Sequence, residues 1–128
     1  SIPNAAPTLV IYPSKAYDTH NAYNTITGLY SVPTAGKYSF KMSAYSAATT
    51  GTTTDFQILC YKNGQVWQGA NFPKLSTSNA AAAGQLACTV ICNAGDTLSG
   101  YIYQGTGSAL QLLATGTFNW ISIERVGN

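Results

Sequence analysis

The stretch Gly36–Ala44 reads GKYSFKMSA and alternates strictly. Tyr38, Phe40, Met42 and Ala44 fall on one face, Lys37, Ser39, Lys41 and Ser43 on the other, so the segment is a half-buried β-strand. Runs of the same kind recur on both sides of it, at Leu9–Tyr12, Tyr23–Ile26, Leu29–Val32, Phe56–Tyr61, Leu86–Cys92, Leu98–Tyr103, Leu110–Leu113 and Phe118–Val126. Clusters of Gly, Pro, Asn, Asp and Thr separate them, as turn chemistry between strands requires. The one helix candidate, Asn79–Ala83, is too short to repay helix nucleation and runs straight into Gly84, so it reads as a loop. AATTGTTT at Ala47–Thr54 is a polar surface connection.

No internal repeat or boundary divides the 128 residues, and a 45% hydrophobic content is ample for one buried core. The expectation is a single all-β domain over residues 1–128, a two-sheet sandwich whose first 22 residues supply an N-terminal strand and lead-in. Several strands are apolar on both faces. Phe56, Ile58 and Cys60 are interleaved with Leu59 and Tyr61, and Leu86, Cys88, Val90 and Cys92 with Ala87 and Ile91. A sandwich buries one face of each sheet, so the second apolar face points to contact with another subunit.

Only 8% of residues are charged, against about 25% in an average soluble domain, and Thr, Ser, Asn, Gln and Gly carry the polarity instead. Few ions then need desolvating where such a surface meets a neighbour, which suits virion or extracellular proteins. A net charge of +2 from scattered residues offers no phosphate-binding stripe, so nucleic acid is not an expected partner. No window approaches the roughly eighteen apolar residues of a membrane span, and SIPNAAPTLVIYPSK lacks the charged n-region and long h-region of a signal peptide. Membrane insertion is not expected.

Three cysteines, Cys60, Cys88 and Cys92, leave at least one thiol unpaired within a chain. On one strand, Cys88 and Cys92 would lie about 13 Å apart, too far to bridge. They read as buried free thiols behaving as small hydrophobes.

TGLYSVPTAGKYSF, from Thr27 to Phe40, resembles the signature of the globular head of complement subcomponent q. There a Thr-Gly-x-aromatic strand, a Val-Pro turn and a Gly-x-Tyr-x-Phe strand follow one another. KNGQ at Lys62–Gln65 is similar to that family's Lys-Asn-Gly turn and NAGDTL at Asn93–Leu98 to its Gly-Asp turn, while GTFNWISIERV at Gly116–Val126 takes the place of its closing strand. Order and spacing agree over Tyr23–Val126. The resemblance implies the jelly roll shared by complement heads and tumour necrosis factor: about ten antiparallel strands in two five-stranded sheets, assembled as a homotrimer. Asn119 and Trp120 replace the closing glycine, and the ending SIERVGN is more like phage and bacterial members. The motif residues are structural on this reading. Gly36 and Gly64 take positive φ in turns, Pro33 presets a turn, and Tyr38, Phe40 and Phe118 fill the sandwich.

Catalytic chemistry finds little support. His20 is the only histidine and Asp18 lies two residues away, yet no nucleophile-elbow glycine pattern accompanies them. Asp55, Asp96 and Glu124 each have an ordinary turn or strand explanation, so no glycosidase pair emerges. Cys, His and acidic residues do not cluster as metal ligands do, and no cofactor is expected. Some relatives bind calcium near the trimer axis, which keeps calcium open although no acidic ligand motif transfers. Binding is better served, because nine Tyr and two Trp lie among many amides, the combination that contacts sugars and proteins. Trp67, Gln68, Asn71 and Phe72 form one group of candidate ligand-binding residues, and Tyr101 and Tyr103 a second.

The sequence therefore reads as a non-enzymatic trimeric recognition head, the tip of a phage fibre or spike on the virion, binding a host cell-surface glycan or protein. An extracellular or cell-surface protein is the other location. The alternative function is a structural trimerisation cap, or a capsid or surface decoration domain without a ligand of its own.

Overall fold

The computed structural model describes residues 1–128 and consists of eight strands with no helix. In chain order they are β1 (Thr8–Leu9), β2 (Tyr30–Ser31), β3 (Gly36–Tyr45), β4 (Phe56–Lys62), β5 (Gln65–Asn71), β6 (Ala83–Cys92), β7 (Thr97–Gln104) and β8 (Trp120–Gly127). One sheet has the order β1-β7-β4-β5, with β2 also on β7, and the other the order β6-β3-β8. Every pairing is antiparallel.

The alternation that opened the sequence reading sets the core. Tyr38, Phe40, Met42 and Ala44 are all at most 2% exposed, as are Phe56, Ile58 and Cys60 of β4 and Leu98 and Ile102 of β7. Leu86, Val90 and Cys92 close the same core from β6, and Ile121 and Ile123 from β8. Gly100 of β7 lies where Met42 crosses from the opposite sheet, and a Cβ there would stand 2.5 Å from the Met42 sulfur. The absence of a side chain lets the two sheets approach at that point. Gly36 and Gly64 take φ of +155° and +77°, the left-handed turn geometry read from the sequence.

Three expectations change. Tyr23–Ile26 makes one bridge, Tyr23 to Tyr30, because the Asn24 carboxamide accepts from the N–H groups of Ile26 and Thr27 and its carbonyl from Gly28, which turns the chain. Leu110–Leu113 bridges Ile2 and then Ser46, changing partner before a ladder can form. The second sheet consequently has three strands, not five. Phe118 does not fill the sandwich. It precedes β8, is 47% exposed and stacks on Tyr45 at 5.0 Å, while Ile121 and Ile123 supply that edge of the core.

Two buried polar groups fasten the loops at one end. Gln104, with no exposed surface, donates through Nε2 to the carbonyls of Ile2 and Ser108 and accepts at Oε1 from Thr106. Lys74 is 7% exposed, and its ammonium donates to three backbone carbonyls, of Gly51 (3.0 Å), Ser76 (2.8 Å) and Ser78 (3.2 Å). An internal cation thus holds the 47–54 loop against the 74–80 loop, where Thr53 and Lys74 also exchange backbone hydrogen bonds. Lys74→Met keeps the volume but strands these carbonyls; we expect a loss of about 3 kcal/mol in urea unfolding. A loss below about 0.5 kcal/mol would show the lysine to be dispensable.

Candidate functional site

The outward side of β4 and β7 carries Tyr61, Tyr101 and Tyr103. Register sets Tyr101 beside Leu59 and Leu59 beside Gly69. The next row outward runs Tyr103, Gln57, Asn71, and the row on the other side sets Ser99 against Tyr61. The Tyr61 and Tyr101 rings stack with centroids 3.8 Å apart and planes 18° from parallel. Leu59 is only 8% exposed although it faces outward, because it folds over Gly69, where a Cβ would come within 2.5 Å of it. Neighbours in its own sheet cover this leucine, which accounts for part of the apolarity of the second face. What stays half-exposed is a flat row of tyrosines bordered by the amides of Gln57 and Asn71.

The two candidate groups from the sequence are divided differently by the fold. Asn71, Tyr101 and Tyr103 share the tyrosine face. Trp67, Gln68 and Phe72 lie at the side of the sandwich, where the edge strand β5 runs next to β6. A bulge between Cys60 and Tyr61 shifts the β4–β5 register at Trp67. The Trp67 indole N–H donates to the Thr89 carbonyl of β6 at 3.1 Å, and the Lys62 ammonium sits 5.1 Å from its ring centroid. Phe72 covers Gly84 of β6. These two rings staple the sheets together on this side, with Gln68 exposed beside them. Tyr61 and Gln57 were missed in the sequence, since only the β4–β7 register reveals that they adjoin Tyr101 and Tyr103.

The opposite side of the sandwich is open. A groove of about 730 Å³ runs between β1 with its lead-in and β8, floored by Tyr12, Tyr23, Tyr30, Ile121 and Ile123. The 15–23 loop rims it and is held by Asp18, whose carboxylate accepts from the N–H groups of Ala22 and Tyr23 and from the Lys15 ammonium, each at 2.9 Å. Partial burial opposes ionisation of Asp18, but the backbone donors and Lys15 outweigh it and hold the carboxyl down at about 2. His20 is exposed and its Nδ1 meets only the Thr19 hydroxyl, at 3.1 Å. Asp96 is held low by the Asn63 amide, the Asn93 N–H and Lys62, as a turn anchor. Asp55 meets the Thr54 hydroxyl, and Glu124 lies across from Ser39 on the other sheet. No three His, Cys, Asp or Glu side chains come together as a cation cage would need.

No protein-family profile and no curated protein sequence matches the chain. Solved structures do. The globular domain of zebrafish complement 1qA protein superposes with a TM-score of 0.57 at 14% identity, over 90% of this chain and 78% of that one. The fold is the complement-head jelly roll. A family 35 carbohydrate-binding module from an environmental isolate aligns more loosely, with a TM-score of 0.47 at 15% identity over 99% of this chain and 90% of that one. In this jelly roll the motifs read from the sequence occupy turns and core strands, and the tyrosine face and the groove flank them.

The Asp18 anchor gives a pH signature. Its carboxyl titrates near 2 when folded against an ordinary 3.8, so its stabilisation is complete above pH 3.8 and is lost as the pH falls towards 2. Asp18→Asn should therefore lower Tm at neutral pH, with the gap to the parent protein closing between pH 4 and 2 in thermal melts. A gap that is independent of pH would assign the loss to packing.

Proposed function

We propose that this protein is a non-enzymatic recognition head that acts as a homotrimer, the tip domain of a phage fibre or spike, and binds a glycan or protein on the host cell surface. The tyrosine face carries this reading. Tyr61, Tyr101 and Tyr103 are fixed on the paired central strands of a sheet, so they offer flat apolar area at little cost in side-chain entropy. The Gln57 and Asn71 amides alongside supply donors and acceptors of the kind that fix the orientation of a sugar ring.

The other sheet supports self-association. Its outer side carries the small residues Ser39, Ser43, Ala87, Thr89 and Ser122 between two apolar ends, Ile91 at 61% and Trp120 at 36% exposure. The charges that would need desolvating where a second copy seats on that face are Lys37, Lys41 and Glu124. A trimer then presents three equal platforms, and weak contacts at each multiply into avidity.

Light scattering at micromolar concentration and again after tenfold dilution should give about 40 kDa, three times the 13.5 kDa chain. A monomer at both concentrations overturns the trimer. On a glycan array and on host cells, Tyr101→Ala and Tyr103→Ala should each weaken binding about tenfold with the trimer intact. A trimer that binds neither glycans nor cells would instead be a structural cap or decoration domain. Turnover of host polysaccharide by the domain would overturn the non-enzymatic reading.

A further inference from the structure

Charge is divided unequally between the two sheets. The strands of the five-stranded sheet carry one ionised side chain, Lys62, whereas those of the three-stranded sheet carry Lys37, Lys41, Glu124 and Arg125. Lys62 does not serve the tyrosine face. Its ammonium crosses to the other sheet, donates to the Ile91 carbonyl at 2.7 Å and lies 3.6 Å from the Asp96 carboxylate. At the other end of β4 the residue before the strand is Asp55, so the next charge along that line is negative.

The polar groups of the tyrosine face are neutral and largely unspent. Elsewhere tyrosine hydroxyls bond within the chain: Tyr38 donates to the Thr34 carbonyl at 2.7 Å, and Tyr23 accepts from the Tyr12 N–H at 2.9 Å. The hydroxyls of Tyr61, Tyr101 and Tyr103 and the Gln57 amide make no bond of this kind. Asn71 spends its amide NH2 on the Thr54 carbonyl and keeps its oxygen free. Because the Tyr61 and Tyr101 rings stack 3.8 Å apart, one face of each is used up, and a ligand meets their outer faces and their hydroxyls.

Resting on the reading of this face as the binding platform, we propose that its ligand is a neutral glycan and that the face rejects sugars bearing carboxylate, sulfate or phosphate. A phenol hydroxyl both donates and accepts, as does a carboxamide, and this matches the hydroxyls of an uncharged hexose. The outer ring faces take the apolar side of the sugar. An acidic sugar would give up the water around its anion with no ammonium or guanidinium to replace it. Asp55, at the Gln57 end, adds repulsion. A protein surface would bring its own lysines and carboxylates to the same uncompensated face.

The test uses the full chain on an array that pairs neutral hexose oligosaccharides with the same cores bearing sialic acid, uronic acid or sulfate. Neutral members should bind about tenfold or more tightly than their acidic counterparts. Their affinity should change less than about twofold between roughly 50 and 500 mM salt, since no ion pair is there to be screened. Tyr101→Phe combined with Tyr103→Phe removes two hydroxyls and keeps both rings; it should weaken neutral-glycan binding about tenfold with Tm unchanged. On host cells, mild periodate, which cleaves vicinal diols, should abolish attachment. Acidic members bound as well as neutral ones, or an affinity that drops with salt, would overturn the proposal and leave the platform standing. Parent-like binding by the double phenylalanine variant, or attachment that survives periodate, would overturn it in favour of another surface or a protein partner. Binding to no glycan at all would overturn the platform and the proposal together.

Discussion

The inward row of β3 against the opposing strands β4 and β7 is the contact on which the rest of the structure depends. Tyr38, Phe40 and Met42 are almost fully excluded from water, and they meet Phe56, Ile58, Leu98 and Ile102 across the core. Burying side chains of this size contributes about 1.5–3 kcal/mol each, and no other group in the chain supplies a comparable driving force. Charge cannot, since only two ion pairs form, Lys15–Asp18 and Lys62–Asp96, and both are near the surface. The hydrogen-bonded ladders on either side of β3 fix which face points inward. Slipping them by one residue would turn Lys37 and Lys41 into the core.

That core leaves the two flanks of the sandwich unlike each other. On the β5–β6 side two aromatic rings and a cation over an indole draw the sheets together. On the β1–β8 side the sheets stay apart, because β1 is two residues long and the lead-in is held by Asp18 to its own loop instead of to β8. Edge β8 is therefore paired on one side only, above a groove floored by tyrosines and isoleucines. The tyrosine face sits between these flanks on the five-stranded sheet, and its rigidity comes from β4, which is paired on both sides. A surface so placed can offer a fixed aromatic shape without a flexible loop, at low entropy cost on binding.

With few carboxylates and lysines, the chain relies on neutral and internal polar devices to fix its loops. Gln104 and Lys74 satisfy backbone carbonyls at one end, Asn119 does so for Tyr45 and Leu113, and Asn24 and Asn63 organise turns. No buried side-chain nitrogen or oxygen is left without a partner. Lys74, one of the six scattered basic residues in the sequence, carries a structural role that only its surroundings reveal.

Strand identity was legible in the sequence where the period of two ran unbroken, as in Gly36–Ala44, because alternation records burial on one face directly, and where an apolar run of six or seven residues lay between turn clusters, as in Phe56–Tyr61 and Leu86–Cys92. The turns were legible as well, since Gly36 and Gly64 occupy backbone conformations that a side chain would resist. Short apolar runs were not. Tyr23–Ile26 and Leu110–Leu113 look like strands, but local side-chain bonds and a change of partner decided otherwise. Phe118 was read inward on motif alone and points outward, because the inward positions of that edge go to Ile121 and Ile123. Which aromatics act together was a matter of tertiary structure throughout. Tyr61 meets Tyr101 and Trp67 meets β6 only after strand register and sheet packing are set, and these long-range pairings leave no periodic trace in the chain.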